Sequence, residues 1–284
     1  GTGVAVITPF TVKGEVDHDA LKRIVKHLIE GGIDYIVALG TTGETPTLSK
    51  SEKFDVLDTI FKANDGALPI AIGAGGNNTP EVINWIKELE KYPHSGLLSV
   101  APYYNKPSQT GMMAHLRAIA NSTDKPIILY NVPGRTASNI SANTTIALAQ
   151  ELENICCIKE ASGNMDQIMA IENGKPDGFY VLSGDDSLTL PMMSVGTKGV
   201  ISVIAQAYPR EFSSMVSAAN KGDFKTAKEI HYHLLEITNA IYLEGNPVGI
   251  KSLMKQMSLC EKAVRLPLVE ATEDLDDMLK SQML

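Results

Sequence analysis

Short apolar, β-rich runs alternate along the chain with longer stretches whose apolar residues recur at helical spacing. Residues 4–8 open the pattern as a strand. His18–Glu30 follows with Leu21, Ile24, Val25 and Leu28 on one face and Gly31-Gly32 as its stop. The next strands are predicted over residues 35–39, 69–72, 96–100, 126–129, 155–158, 179–182 and 199–203. The helices between and after them are predicted from Ser49 onward and over residues 80–91, 111–122, 142–152, 165–173, 188–195 and 209–220. Ser49 with Glu52 three residues on has the form of a capping box, and Pro80 suits a first helical turn. Eight strand–helix pairs in sequence predict a parallel (β/α)8 TIM barrel. A doubly wound open sheet is the structural alternative. It is disfavoured because no Gly-rich fingerprint follows the first strand. The run Gly73-Ala74-Gly75-Gly76-Asn77-Asn78 comes late and lacks a following Lys-Ser/Thr.

Beyond Phe224 the strand pattern stops. Residues 224–242, 248–257 and 272–283 read as helices, punctuated by Pro247 and Pro267. The predicted organisation is therefore a barrel over residues 1–222 and a C-terminal helical appendage over residues 223–284. A dimerisation arm is the second reading of that appendage.

Composition narrows the function. The 284 residues suffice for one such barrel, and an apolar content of 44% supplies its core. A net charge of −8 speaks against a broad nucleic-acid footprint. No apolar run is long enough for a membrane span, and no basic leader opens the chain. The first residue is Gly1 rather than Met, so a short preceding segment is expected. The three cysteines, Cys156, Cys157 and Cys260, make no framework, and the first two are expected to point apart as strand neighbours. Reduced thiols in a cytoplasmic protein follow. His231 and His233 are two apart on a predicted helix and diverge, and no cluster has zinc spacing, so no metal site is expected.

The chemistry lies at the strand ends. Ile155-Cys156-Cys157-Ile158 is an apolar strand that terminates in Lys159. Alternation puts Ile155, Cys157 and Lys159 on one face. An amine there is exposed, paired or reactive. In the plain reading it snorkels to water. In the reactive reading burial disfavours the ammonium and leaves a neutral amine for Schiff-base chemistry. Free lysine titrates at about 10.4, so holding it half-neutral near pH ~7.5 takes on the order of 4 kcal/mol. The other strand ends add Thr41, Thr42 and Glu44, then Tyr103 and Tyr104, then Tyr130 and Arg135, then Asp185 and Asp186. A barrel gathers such ends at one mouth. Each has a plain reading as well: loop capping for the threonines, loop packing for Tyr103-Tyr104, a surface charge for Arg135, helix capping for the aspartates. Taken together, lysine, phenol, hydroxyls and guanidinium suit imine chemistry on a small keto acid. Tyr130 with Thr41 would shuttle protons, the amides near Thr41-Thr42 would hold a carboxylate, and Arg135 would fork onto a second one.

The chain resembles the dihydrodipicolinate synthases, a pyruvate-dependent class I aldolase family. The resemblance covers essentially the whole length. It rests on Gly40-Thr41-Thr42-Gly43-Glu44, Pro102-Tyr103-Tyr104-Asn105, Tyr130-Asn131-Val132-Pro133-Gly134-Arg135-Thr136, Ile158-Lys159-Glu160-Ala161-Ser162-Gly163 and Ser183-Gly184-Asp185-Asp186. It implies condensation of pyruvate with L-aspartate 4-semialdehyde, without metal or organic cofactor, in a homotetramer. Lys159 would be the imine lysine and Tyr130 the proton-transfer residue. Thr41 would be the relay threonine, Thr42 the threonine on the pyruvate carboxylate, and Tyr104 the tyrosine that completes the relay from a neighbouring subunit. Arg135 would meet the semialdehyde carboxylate, with Gly184 and Ile201 lining the pyruvate pocket. Lysine-sensitive members imply an inhibitory L-lysine site near Asn77, Glu81 and Tyr103, with Lys53 standing where they often carry histidine. N-acetylneuraminate lyases and keto-deoxy-sugar acid aldolases share the lysine and tyrosine but generally lack the arginine at Arg135. A non-catalytic keto-acid-binding regulator is the alternative from another class.

Overall fold

Apolar runs too short for a helix pair with one another as strands. The computed structural model describes every residue, Gly1–Leu284. The strands are β1 (Thr2–Ala5), β2 (Tyr35–Ala38), β3 (Ile70–Gly73), β4 (Gly96–Val100), β5 (Ile127–Asn131), β6 (Ile155–Glu160), β7 (Tyr180–Ser183) and β8 (Val200–Ser202). They close into a parallel barrel in sequence order, β1-β2-β3-β4-β5-β6-β7-β8. The helices are α1 (His18–Glu30), α2 (Lys50–Asn64), α3 (Thr79–Leu89), α4 (Gln109–Ala120), α5 (Pro133–Thr136), α6 (Ala142–Glu151), α7 (Met165–Gly174), α8 (Thr189–Ser194), α9 (Pro209–Asn220), α10 (Phe224–Ala240), α11 (Val248–Gln256) and α12 (Glu273–Gln282). The expected (β/α)8 architecture is the one observed. No helix is long and apolar enough to cross a membrane.

Local chemistry sets the helix starts. The α1 side chains Leu21, Ile24, Val25 and Leu28 are all buried, as their spacing requires. The Ser49–Glu52 capping box forms in both directions. Helix α4 begins earlier than its apolar spacing predicts, because Ser108 accepts from the Gly111 amide and fixes the first turn there. The short turn α5 was not expected. It starts on Pro133, whose fixed φ suits a first helical position, and ends at Ala137 with a φ of 54°.

The chain divides into two compact units, Gly1–Pro69 with Ser202–Leu284, and Ile70–Ile201. In the first, Phe10 is the centre of a polar clamp. Lys251 Nζ lies 4.1 Å and Arg265 Cζ 4.4 Å from its ring centroid. Arg265 donates to the carbonyls of Gly14 (2.8 and 3.0 Å) and Thr47 (2.9 Å), and to the Glu52 carboxylate (2.5 and 3.0 Å). That guanidinium lowers the Glu52 carboxyl to about 2. The segment after α11 is thereby tied to the residues before α1 and α2.

In the second unit β6 departs from simple alternation. Ile127 of β5 pairs with Ile155, but the next β5 residue, Ile128, pairs with Cys157, so Cys156 is an extra residue in the ladder. This corrects two expectations. Ile155 is on the face opposite Lys159, because their β5 partners Ile127 and Tyr130 are three residues apart. The sulfurs of Cys156 and Cys157 do not diverge but lie 3.7 Å apart.

Candidate active site

Lys159, the last residue but one of β6, lies between Tyr130 of β5 and Leu182 of β7 in the ladder. Register partners in a parallel sheet share a face. Tyr130 and Lys159 are each 5% exposed, and the Lys159 Nζ stands 4.3 Å from the Tyr130 ring centroid. Gly184, just beyond β7, presses its backbone onto the lysine stem. A Cβ at Gly184 would sit 2.9 Å from Lys159 Cε and 3.0 Å from Cγ. The lysine stem therefore runs past a bare stretch of backbone, and its amine stands over a phenol ring. Ile201 is buried in β8.

The residue after Lys159 fixes the loop that follows. Glu160 is fully buried, and uncharged donors surround its carboxylate. Asn131 Nδ2 reaches both oxygens at 3.0 and 3.1 Å, Gln167 Nε2 donates at 2.9 Å and the Ser162 amide at 2.8 Å. The same Asn131 Nδ2 donates to Asn139 Oδ1 at 2.7 Å. This network ties the ends of β5 and β6 to the start of α7. No sequence motif announced it, although a carboxylate beside Lys159 on the opposite face of a buried strand was a usable signal.

The loop residues are more open. Arg135 is exposed on α5, and its guanidinium has no carboxylate partner. Tyr104 is 89% exposed with a φ of 67°, and Tyr103 is 44% exposed. Asn77 braces this loop. Its Nδ2 donates to the Tyr103 carbonyl at 2.7 Å, and its Oδ1 accepts from the Tyr103 amide at 2.9 Å. Glu81 is exposed in the first turn of α3. Burial pushes the half-buried Lys53 amine down. Asp185 accepts from the Ser187 and Leu188 amides at 3.0 and 3.2 Å in the turn before α8, but the N-cap position is Leu188 and no side chain caps the helix, so the helix-capping reading is not met.

In the other unit the turn after β2 is held from several sides. Thr8 Oγ1 donates to the Gly43 carbonyl at 2.7 Å, and Thr45 Oγ1 to the Gly40 carbonyl at 3.0 Å. Thr41 is half-buried and Thr42 buried in the single 3-10 turn Thr41–Gly43. Asn246, far along the chain, donates to Thr42 Oγ1 at 2.9 Å. Glu44 is buried with a φ of 50°. It pairs with Lys251 Nζ, and the Arg265 amide donates to its other oxygen at 3.0 Å. Lys251 also donates to the Ala263 carbonyl at 2.9 Å. Glu44 thus serves the turn rather than presenting a free carboxylate.

The family described as "Dihydrodipicolinate synthetase family" matches residues 1–283. A 4-hydroxy-tetrahydrodipicolinate synthase of Flavobacterium psychrophilum is 48% identical over 279 residues, covering 98% of this chain and 95% of that one. The crystal structure of dihydrodipicolinate synthase from Aquifex aeolicus has a TM-score of 0.96 at 43% identity, over 99% of this chain and 96% of that one. The crystal structure of that enzyme from Cyanidioschyzon merolae with lysine bound also has a TM-score of 0.96, at 38% identity over 99% and 96% of the two chains. The chain belongs to the dihydrodipicolinate synthetase family. In this family member the supports contributed by Asn246, Lys251 and Arg265 had no sequence signal. Each acts on a residue more than two hundred positions away.

Proposed function

We propose that this chain joins pyruvate to L-aspartate 4-semialdehyde to give 4-hydroxy-tetrahydrodipicolinate, the first committed step of diaminopimelate and lysine biosynthesis. The observation that carries the reading is the buried Lys159 amine 4.3 Å from the Tyr130 ring in a chain of this family. The lysine amine adds to the pyruvate ketone and water leaves, giving an imine. Loss of a methyl proton gives the enamine, whose carbon attacks the aldehyde. The semialdehyde's own amine then displaces Lys159 and closes the ring. Tyr130, Thr41 and Tyr104 carry the protons in this reading. Thr42 holds the pyruvate carboxylate. Because its Oγ1 already accepts from Asn246, its own hydroxyl proton is left to donate. Gly184 and Ile201 line the pyruvate pocket. Residues 1–222 form the catalytic barrel and 223–284 its helical appendage, in a cytoplasmic enzyme that needs no cofactor.

Borohydride reduction in the presence of pyruvate tests the reading. It is expected to add a pyruvate-derived mass to the peptide holding Lys159. A label elsewhere, or none, would overturn the mechanism. The exposed, unpaired Arg135 supports binding of a second carboxylate. Arg135→Ala is expected to keep the pyruvate imine but to cost about 2–3 kcal/mol in kcat/KM for the semialdehyde. An unchanged value would favour a sialic-acid or keto-deoxy-sugar aldolase instead.

The exposed Tyr103 and Tyr104 support a homotetramer in which Tyr104 reaches a neighbour's site. Sedimentation of the purified chain as a monomer would count against that. We also assign L-lysine as an inhibitor meeting Tyr103, Asn77 and Glu81, as the lysine-bound Cyanidioschyzon merolae structure supports. Lys53 would repel the effector's ammonium, so inhibition is expected to be weaker than in a variant carrying Lys53→His. Lysine titration at saturating pyruvate reads this. No inhibition at millimolar lysine removes the site, and unaltered inhibition in Glu81→Ala misplaces it.

A further inference from the structure

The extra residue in β6 brings two thiols together where a regular strand would separate them. Cys156 Sγ lies 3.7 Å from Cys157 Sγ and 3.5 Å from the Ile127 carbonyl. Cys156 is half-buried and Cys157 is 7% exposed, so reagent reaches the pair through Cys156. We propose that Cys156 and Cys157 form a bidentate site for trivalent arsenic, taking organoarsenicals of the R–As=O class.

The geometry favours one bridging atom over a direct bond. Two bonds of about 2.3 Å from sulfur to one pyramidal arsenic, at an angle of roughly 95–100°, place the sulfurs about 3.4–3.5 Å apart. The pair, at 3.7 Å, need close by only a few tenths of an ångström. A disulfide asks for more. Adjacent residues have Cα atoms about 3.8 Å apart, below the usual disulfide minimum of about 4.4 Å. A zinc ion asks for four ligands. No group of three or more His, Cys, Asp and Glu side chains is placed to hold a metal here. Arsenic in the R–As form is complete with two sulfurs.

The electrostatics of the pair agree. Donation from the Cys157 thiol holds the Cys156 thiol below its ordinary value, while that same shared hydrogen bond and burial push Cys157 well up. The first attack therefore falls to Cys156 as thiolate. Overall two As–S bonds form, and the arsenic oxygen leaves as water with the two thiol protons. Arsenic stays trivalent, so no oxidant or reductant is needed. Cys260 offers a control in the same chain. It is buried, and burial pushes its thiol up to about 12.

Native protein treated with phenylarsine oxide in excess glutathione is expected to retain one phenylarsenic group per chain by intact mass. Two of the three free thiols should be lost with it. Excess 2,3-dimercaptopropanol should strip the group and restore them. Cys156→Ser should lose glutathione-resistant binding, and Cys260→Ser should keep it. The half-buried Cys156 site tolerates serine better than Cys157 would, and the Cys260→Ser result stands independently of it. No adduct on native wild-type protein, a resistant adduct surviving in Cys156→Ser, or its loss in Cys260→Ser would each overturn the proposal.

Discussion

Gly184→Ala is expected to lower the rate of borohydride trapping of pyruvate by on the order of 10²-fold or more, approaching the complete loss expected of Lys159→Ala. The cause is steric. A methyl group at this position meets Ala161 Cβ at 2.7 Å, Lys159 Cε at 2.9 Å and Lys159 Cγ at 3.0 Å. Ala161 cannot yield without moving the backbone, whose amide is bonded to the Asn131 carbonyl at 2.8 Å. The lysine stem must therefore move, and its amine leaves the position over the Tyr130 ring. An error of about 1 Å in a reacting atom is enough for a loss of this size. Global stability should change much less. Overpacking costs about 1–3 kcal/mol, partly offset by about 0.4–1 kcal/mol from the reduced freedom of the unfolded chain. Trapping kinetics beside urea midpoints separate the two effects. Wild-type trapping in a folded Gly184→Ala protein would show that the glycine does not position the amine.

The placement of Lys159 and Tyr130 is legible because it is local. Alternation and turn residues placed Lys159 near the end of β6, and the neighbouring motif placed Tyr130 near the end of β5. The ladder then makes them direct partners. The barrel was legible for the same reason, since eight repeats of one short pattern admit few topologies. What failed was whatever depended on a partner. The bulge at Cys156 arises from pairing with β5 and leaves no mark in an apolar run, so counting by twos put Ile155 on the wrong face. The sequence also hides what braces the Tyr103 loop: the Asn77 amide bonds the Tyr103 backbone, 26 residues on. Glu44 was grouped with the reactive residues of its turn because its charge was visible and its partner, 207 residues away, was not.

That partner makes the second large effect. Lys251→Met is expected to lower stability by about 3–5 kcal/mol, read as a fall in the urea midpoint, because it strands a buried carboxylate. Lys251 is fully buried, Glu44 is 3% exposed, and Nζ bonds both Glu44 and the Ala263 carbonyl. Burial lowers the Lys251 amine despite the opposing pull of Glu44, so desolvation outweighs the partner's attraction. A pair of this kind adds little over an apolar replacement of both members, yet removing one member is costly. The double variant Glu44→Gln with Lys251→Met should therefore lose less than the sum of the single losses, since neither change then leaves an unopposed buried charge. The loss should also reach the turn Thr41–Gly43, because Glu44 holds a φ of 50° at its end and is pinned there by Lys251 and the Arg265 amide. A weaker grip on pyruvate in Lys251→Met, at denaturant-free conditions where the protein remains folded, is the second readout. Additive losses in the double variant, or a neutral Lys251→Met, would show that the clamp from the C-terminal helices does not hold this turn.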